Sequence, residues 1–159
     1  LALGTAMASI EPALASHPVT VDIAVDFPLL HCDGVLIQRV LVNLLDNAHR
    51  HASADPGAIY LRLSARDEAT AVLVVLSDSP PIAPEVERHL FEPFFSTRSR
   101  GSGLGLYICR ELCERYGASV EYRPRPAAER LRNEFSVALR RAPPKAAVAA
   151  PAAAPLPAT

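Results

Sequence analysis

The chain has 159 residues, half of them apolar, and a formal net charge of −1. That length suits one domain with a sizeable core, and the near-neutral charge leaves no electrostatic footprint for nucleic acid or an anionic membrane. The longest apolar run, residues 71–76, is far too short to span a bilayer. No initiator Met and no signal-like segment opens the chain at Leu1, so it is expected to be a piece of a longer protein.

Residues 2–16 are small and apolar and predict a short helix that restarts near Pro12. Residues 19–25 alternate with a period of two, the mark of a half-buried strand, and Pro28 closes it. Asp33 is an expected N-cap. From there Leu36, Val40, Asn43, Leu44 and Asn47 follow the helical period, widened by Leu41 and Leu45, to about Ala52. The turn Asp55-Pro56-Gly57 ends the connection. Residues 58–65 and 71–77 predict two antiparallel strands around a polar turn. Pro80, Pro81 and Pro84 mark a loop, residues 85–90 a short helix, and residues 91–102 a further loop.

Residues 103–116 predict a helix with Leu104, Ile108 and Leu112 on one face and Gly117 as its stop. Residues 120–123 and 133–140 are the final strands. Residues 142–159 are nearly all Ala and Pro, cannot bury a core and are expected to form a disordered tail. The sum is one mixed sheet with helices on one face, a two-layer α/β sandwich.

Two counts narrow the chemistry. The only lysine is Lys145, which removes the P-loop and the Ser/Thr/Tyr kinase strand lysine as phosphate contacts. The three cysteines, Cys32, Cys109 and Cys113, lack framework spacing and are expected to be reduced. Cys109 and Cys113 are four apart on a helix and read as small core hydrophobes rather than as half of a metal site.

Asn43 and Asn47 project from one helix face. Side-chain amide oxygens are hard neutral ligands that suit Mg²⁺, although such a pair can also be merely solvated. The run Gly101-Ser102-Gly103-Leu104-Gly105-Leu106 opens a helix, where backbone amides and the helix dipole favour an anion. On its own it is equally a hinge, and together with the asparagine pair it points to a nucleotide.

Residues 38–48 resemble the N box of bacterial sensor histidine kinases, residues 91–97 their F box, and residues 101–106 their second glycine box. Order and spacing agree over residues 33–117, and the stretch 103–113 is similar to kinases of the NtrB and PilS type. The resemblance implies the Bergerat fold of the GHKL group over residues 1–141, with ATP and Mg²⁺ as cofactors. Asn47, with Asn43, would ligate Mg²⁺; Arg50 would contact phosphate; His51 would lie beside the adenine; Asp78 would accept a hydrogen bond from the adenine amino group. Residues 96–102 would form a lid, with Arg98 at the γ-phosphate, and Ile82, Thr97, Gly101, Gly103, Leu104, Gly105 and Leu106 would surround the nucleotide.

Related ATPases carry a water-activating Glu where this chain has Asn43, whose amide cannot act as a base near neutral pH. That suits transfer to a protein histidine. None of the five histidines lies in a dimerising hairpin, so the acceptor is expected on a domain outside this chain. The implied partners are that dimerisation domain and a response regulator. The fragment is expected to be a cytoplasmic monomer without membrane or nucleic-acid contact, and its parent a membrane-bound homodimer.

One motif departs from the family. The first glycine box, usually Asp-x-Gly-x-Gly, reads Asp78-Ser79-Pro80-Pro81-Ile82, one residue short and without glycine. Glycine there would permit positive φ and close approach, whereas proline fixes φ and removes an amide donor. Either the loop takes another path and ATP still binds, or the domain is a degenerate relative acting as a regulatory interaction module.

Overall fold

The computed structural model describes residues 19–23, 34–95 and 104–141. Strand β1 (Val19–Ile23) leads into helix α1 (Gly34–His51), followed by β2 (Ile59–Ala65) and β3 (Thr70–Ser77). A one-turn helix α2 (Pro84–Glu87) precedes α3 (Gly105–Arg115), β4 (Ser119–Pro124) and β5 (Asn133–Arg140). The expected helix over 2–16, the end of the first strand at 24–25, the Asp33 cap and the tail over 142–159 lie outside the described residues.

The five strands form one mixed sheet in the order β1-β2-β3-β5-β4. β1 runs parallel to β2, which requires a crossover, and α1 occupies it. The other three pairings are antiparallel. The β2–β3 turn is stapled by Asp67, whose Oδ1 accepts the Ala69 and Thr70 amides at 2.8 Å each. These bonds, Ala69 first, hold its carboxyl below the usual carboxylate range.

The strand alternation puts Ile59, Leu61, Leu63, Leu73, Val75, Phe135, Val137 and Leu139 on one face, buried against the helices. Register aligns them in rows: Leu61, Val75, Phe135 and Tyr122 lie side by side across four strands. The opposite face is polar near β1, where Asp22 Oδ2 accepts the Tyr60 hydroxyl at 2.8 Å and Arg62 at 3.3 Å. Among the described residues the helices lie on the apolar face of the sheet.

Helix α1 lays Ile37, Val40, Leu41, Leu44, Leu45 and Ala48 on the sheet, all buried. Helix α3 packs beside it. Its core face is rotated from the expected Leu104–Ile108–Leu112 stripe: Cys109 and Cys113 are fully buried, Leu106 and Leu112 pack against the core, and Leu104 and Ile108 are half-buried. The small cysteine side chains allow close helix approach, with the Cys109 thiol 3.7 Å from the Val40 carbonyl. Both thiols are free, as the sequence suggested. Burial pushes the Cys109 thiol up to about 12 and that of Cys113 to about 11. Gly117 ends the helix at φ +76°, a left-handed stop that an L side chain strains to adopt.

Leu41 of α1 is fully buried in the core. Leu41→Ala is expected to lower unfolding stability by about 2–5 kcal/mol, read from urea denaturation monitored by circular dichroism. A loss below ~1 kcal/mol would show that α1 does not anchor the core.

Candidate functional site

The end of β3 delivers Asp78 to the C-terminal end of α1. Its Oδ1 accepts the Ser53 backbone amide at 2.8 Å, and its Oδ2 accepts the Ser53 hydroxyl. The Arg130 guanidinium, from the β4–β5 connection, lies 3.5 Å from the same Oδ2 and donates to the Pro56 carbonyl at 3.0 Å. Only 10% of the Asp78 side chain is exposed. Burial alone would raise its pKa, but the two Ser53 hydrogen bonds and the Arg130 charge prevail and hold the carboxyl below its ordinary range. Asp78 is thus an ionised carboxylate set in place before any ligand arrives.

Asn43 and Asn47 sit on the flank of the α1 core stripe, each half-buried. Asn43 lies near the Cys109 thiol of α3. Two neutral amide oxygens one turn apart fit a hard cation that takes its remaining ligands from phosphate and water. Among the described residues no group of three or more His, Cys, Asp or Glu side chains could hold a metal ion by itself. Arg50, expected at phosphate, pairs with Asp46 at 3.1 Å on the exposed side of the same helix. Such an exposed i,i+4 pair holds the side chain by only about 0.3–0.5 kcal/mol, so Arg50 is readily recruited elsewhere. His51 is the last residue of α1 and half-buried.

Leu104, Gly105 and Leu106 form the start of α3; a Cβ on Gly105 would meet nothing within 4 Å, so no steric demand requires glycine there. Arg98, Thr97, Gly101 and Gly103, with the lid over 96–102, lie outside the described residues. Residues 91–95 of the F box are described. Phe91 packs edge-on to Phe135 at 6.3 Å, and Phe95 lies 5.4 Å from the His89 ring. Phe94 stands out at 76% exposure with φ +64°.

The glycine-free loop after Asp78 is held by its neighbours. The Asp78 amide donates to the Ala58 carbonyl at 3.0 Å, and the Ser77 and Ser79 hydroxyls are 2.8 Å apart. Asn133, at the start of β5, donates to the Ser79 and Pro80 carbonyls at 3.0 and 2.9 Å. Ile82 then packs on the core. Ser53, Arg130 and Asn133 were missed in the sequence. Asn133 left a signal, a polar residue at an inward position of the alternation Asn133, Phe135, Val137, Leu139. Ser53 and Arg130 left none.

A mixed five-stranded sheet beneath one helical layer, with the asparagine pair on the crossover helix and a fixed carboxylate at the end of the central strand, is the two-layer α/β arrangement of the Bergerat fold. The chain belongs to the family described as "Histidine kinase-, DNA gyrase B-, and HSP90-like ATPase", whose sequence profile matches residues 32–143. Among curated relatives, the sensor protein kinase PilS of Pseudomonas aeruginosa is 41% identical over 92 residues, 56% of this chain and 17% of that protein. The C4-dicarboxylate transport sensor protein DctS of Rhodobacter capsulatus is 34% identical over 128 residues, 77% of this chain and 19% of that protein. The chain therefore spans less than a fifth of these relatives' length. A mycobacterial sensor histidine kinase, MprB, superposes with a TM-score of 0.74 at 25% identity, covering 89% of this chain and 93% of that one. Among the described residues no helix is long and apolar enough to cross a membrane.

Ser53→Ala removes the hydroxyl bond to Asp78. The carboxyl is expected to rise toward its ordinary value, read as a rightward shift of its carbon-13 titration. A depressed carboxyl contributes stability that is present above the unfolded pKa and lost as pH falls through the folded one. Ser53→Ala is therefore expected to narrow the loss of stability on acidification. An unmoved titration would show that the Ser53 hydroxyl does not hold Asp78.

Proposed function

We propose that this domain binds Mg·ATP and, within its parent protein, delivers the γ-phosphoryl group to a histidine on a separate dimerisation domain, which then passes it to a response-regulator aspartate. The observation that carries this reading is the fixed, ionised Asp78 at the end of the central strand. A carboxylate offers about four acceptor positions. Ser53 takes two, and Arg130 at 3.5 Å makes only a long contact. Capacity therefore remains for the 6-amino group of adenine. Ile82 and His51 would flank the base.

At the other end Asn47, with Asn43 beside it, would hold Mg²⁺, which when bound neutralises charge on the phosphates. Asn43 has no basicity with which to activate water, which favours transfer to a protein acceptor over hydrolysis. Arg98, Arg50, Thr97 and the amides of residues 101–106 would steady the phosphates. In-line transfer needs positioning and charge neutralisation more than a protein nucleophile. Residues 1–141 would form this unit and 142–159 a tail. The fragment would act in the cytoplasm as a monomer, its parent as a membrane-bound homodimer.

One observation favours a second reading. The loop over residues 78–82 has two prolines and no glycine, where the family's glycine box carries two glycines, and a pocket rebuilt in this way need not admit a nucleotide. On that reading the domain is a regulatory interaction module.

Calorimetric titration with ADP in the presence of Mg²⁺ separates the two. One-to-one saturable binding is expected, and its absence, with an unshifted melting temperature at high ADP, supports the module. Asp78→Asn should weaken ADP about 10–100-fold, the value of a hydrogen bond to a charged group. An unchanged affinity would place the base elsewhere. In Asn47→Ala the gain in affinity conferred by Mg²⁺ should vanish while the melting temperature without ligand is retained. A preserved Mg²⁺ effect would remove Asn47 from the metal.

A further inference from the structure

Asn133 is 3% exposed and sits opposite Ser77, the last residue of β3, in the β3–β5 register. A buried carboxamide costs stability unless its donors and acceptor are met, and here all are engaged. Nδ2 donates to two successive carbonyls, those of Ser79 and Pro80, at 3.0 and 2.9 Å. Oδ1 accepts the Tyr122 hydroxyl from β4. Burial pushes the Tyr122 phenol up. Tyr122 thus ties the Asn133 carboxamide to β4.

The loop has no comparable means of holding itself. Pro80 and Pro81 lack amide protons, so neither can close a turn. The Asp78 amide is spent on Ala58. The side chain of Asn133 supplies the donors that the loop's own backbone lacks.

We infer that Asn133 is a positioning residue for recognition of the base. Oriented by Tyr122, its carboxamide clamps the Ser79–Pro80 segment and thereby sets Asp78 and Ile82 at the spacing an adenine ring requires, in place of the missing glycines. The inference rests on the proposed nucleotide site, because it assigns Asp78 to the 6-amino group.

Asn133→Asp tests it with almost no change of volume, since it turns two donors into acceptors facing two carbonyls. Tyr122→Phe is the milder companion, removing only the hydroxyl that orients the amide, and serves if the Asp variant fails to fold. Two quantities are read: the ratio of ADP to IDP affinity, IDP carrying a carbonyl where adenine has its amino group, and the exchange rates of the Ser79 and Ile82 amides. Asn133→Asp is expected to weaken ADP about tenfold and IDP little, so the ratio collapses. Loop amide exchange should rise at least about tenfold while Val75 and Val137 in the strands keep their protection. Tyr122→Phe should move both in the same direction by less. A merely structural Asn133 would weaken both nucleotides alike and leave the ratio intact, which overturns the inference, as does unchanged loop exchange. If the unmodified protein binds neither nucleotide, the site reading fails at that step, and the exchange rates alone decide whether Asn133 clamps the loop.

Discussion

Everything near the site depends on how α1 is seated. Val40, Leu41, Leu44 and Leu45 leave the helix only one rotation about its axis, because each is buried in the core formed with the sheet and α3. With that rotation set, Asn43 and Asn47 lie together on the half-buried flank, and Ser53 emerges beside the end of β3. The apolar stripe and the polar flank are one constraint. A helix rolled by a single position would expose leucine and bury amide, and both changes are unfavourable. The crossover topology reinforces it, since β1 and β2 run parallel and the helix between them cannot swing off the sheet.

A second layer of order is polar and lies at the end of the sheet. Ser53, Asp78 and Arg130 come from three separate connections and meet at one carboxylate. Asn133, Tyr122 and the proline loop meet a few residues further along the chain. Both sets of bonds are made by side chains rather than by the strand ladder, and both lie where the β3–β5 ladder stops, at Ser77 and Asn133. Where backbone pairing ends, side chains must satisfy the exposed carbonyls and amides. The same circumstance makes a strand end a suitable place for a ligand, because its polar groups are already arranged and only partly consumed.

Much of this was legible in the sequence. The strand alternation over 58–65, 71–77 and 133–140 and the heptad-like run of α1 mark elements whose observed ends differ by a residue or two. The motifs at 38–48, 91–97 and 101–106 carried the family. The face of α3 was less legible, since Leu104 and Ile108 look more apolar than the two cysteines that in fact touch the core. Helix-to-helix distance decided that choice, and no single-sequence period encodes it. The meeting of Ser53 with Asp78 spans 25 residues, and that of Arg130 with Pro56 spans 74. Such contacts arise only once loops are folded back on one another, so neither residue stood out in advance. Asn133 was the exception, a polar side chain in an inward register that could have been questioned before any coordinates existed.

The strand order also bears on how the chain is made. β5 is the last of the described strands, but it lies inside the sheet, between β3 and β4. During synthesis the eight residues of β3 therefore wait with one open edge while about fifty-five further residues emerge. An apolar strand with an open edge is a template for pairing with other chains. Shortening the chain ahead of residue 133 would thus leave not a smaller version of the domain but a sheet split down its middle, with its most apolar strand exposed to solvent and to its neighbours.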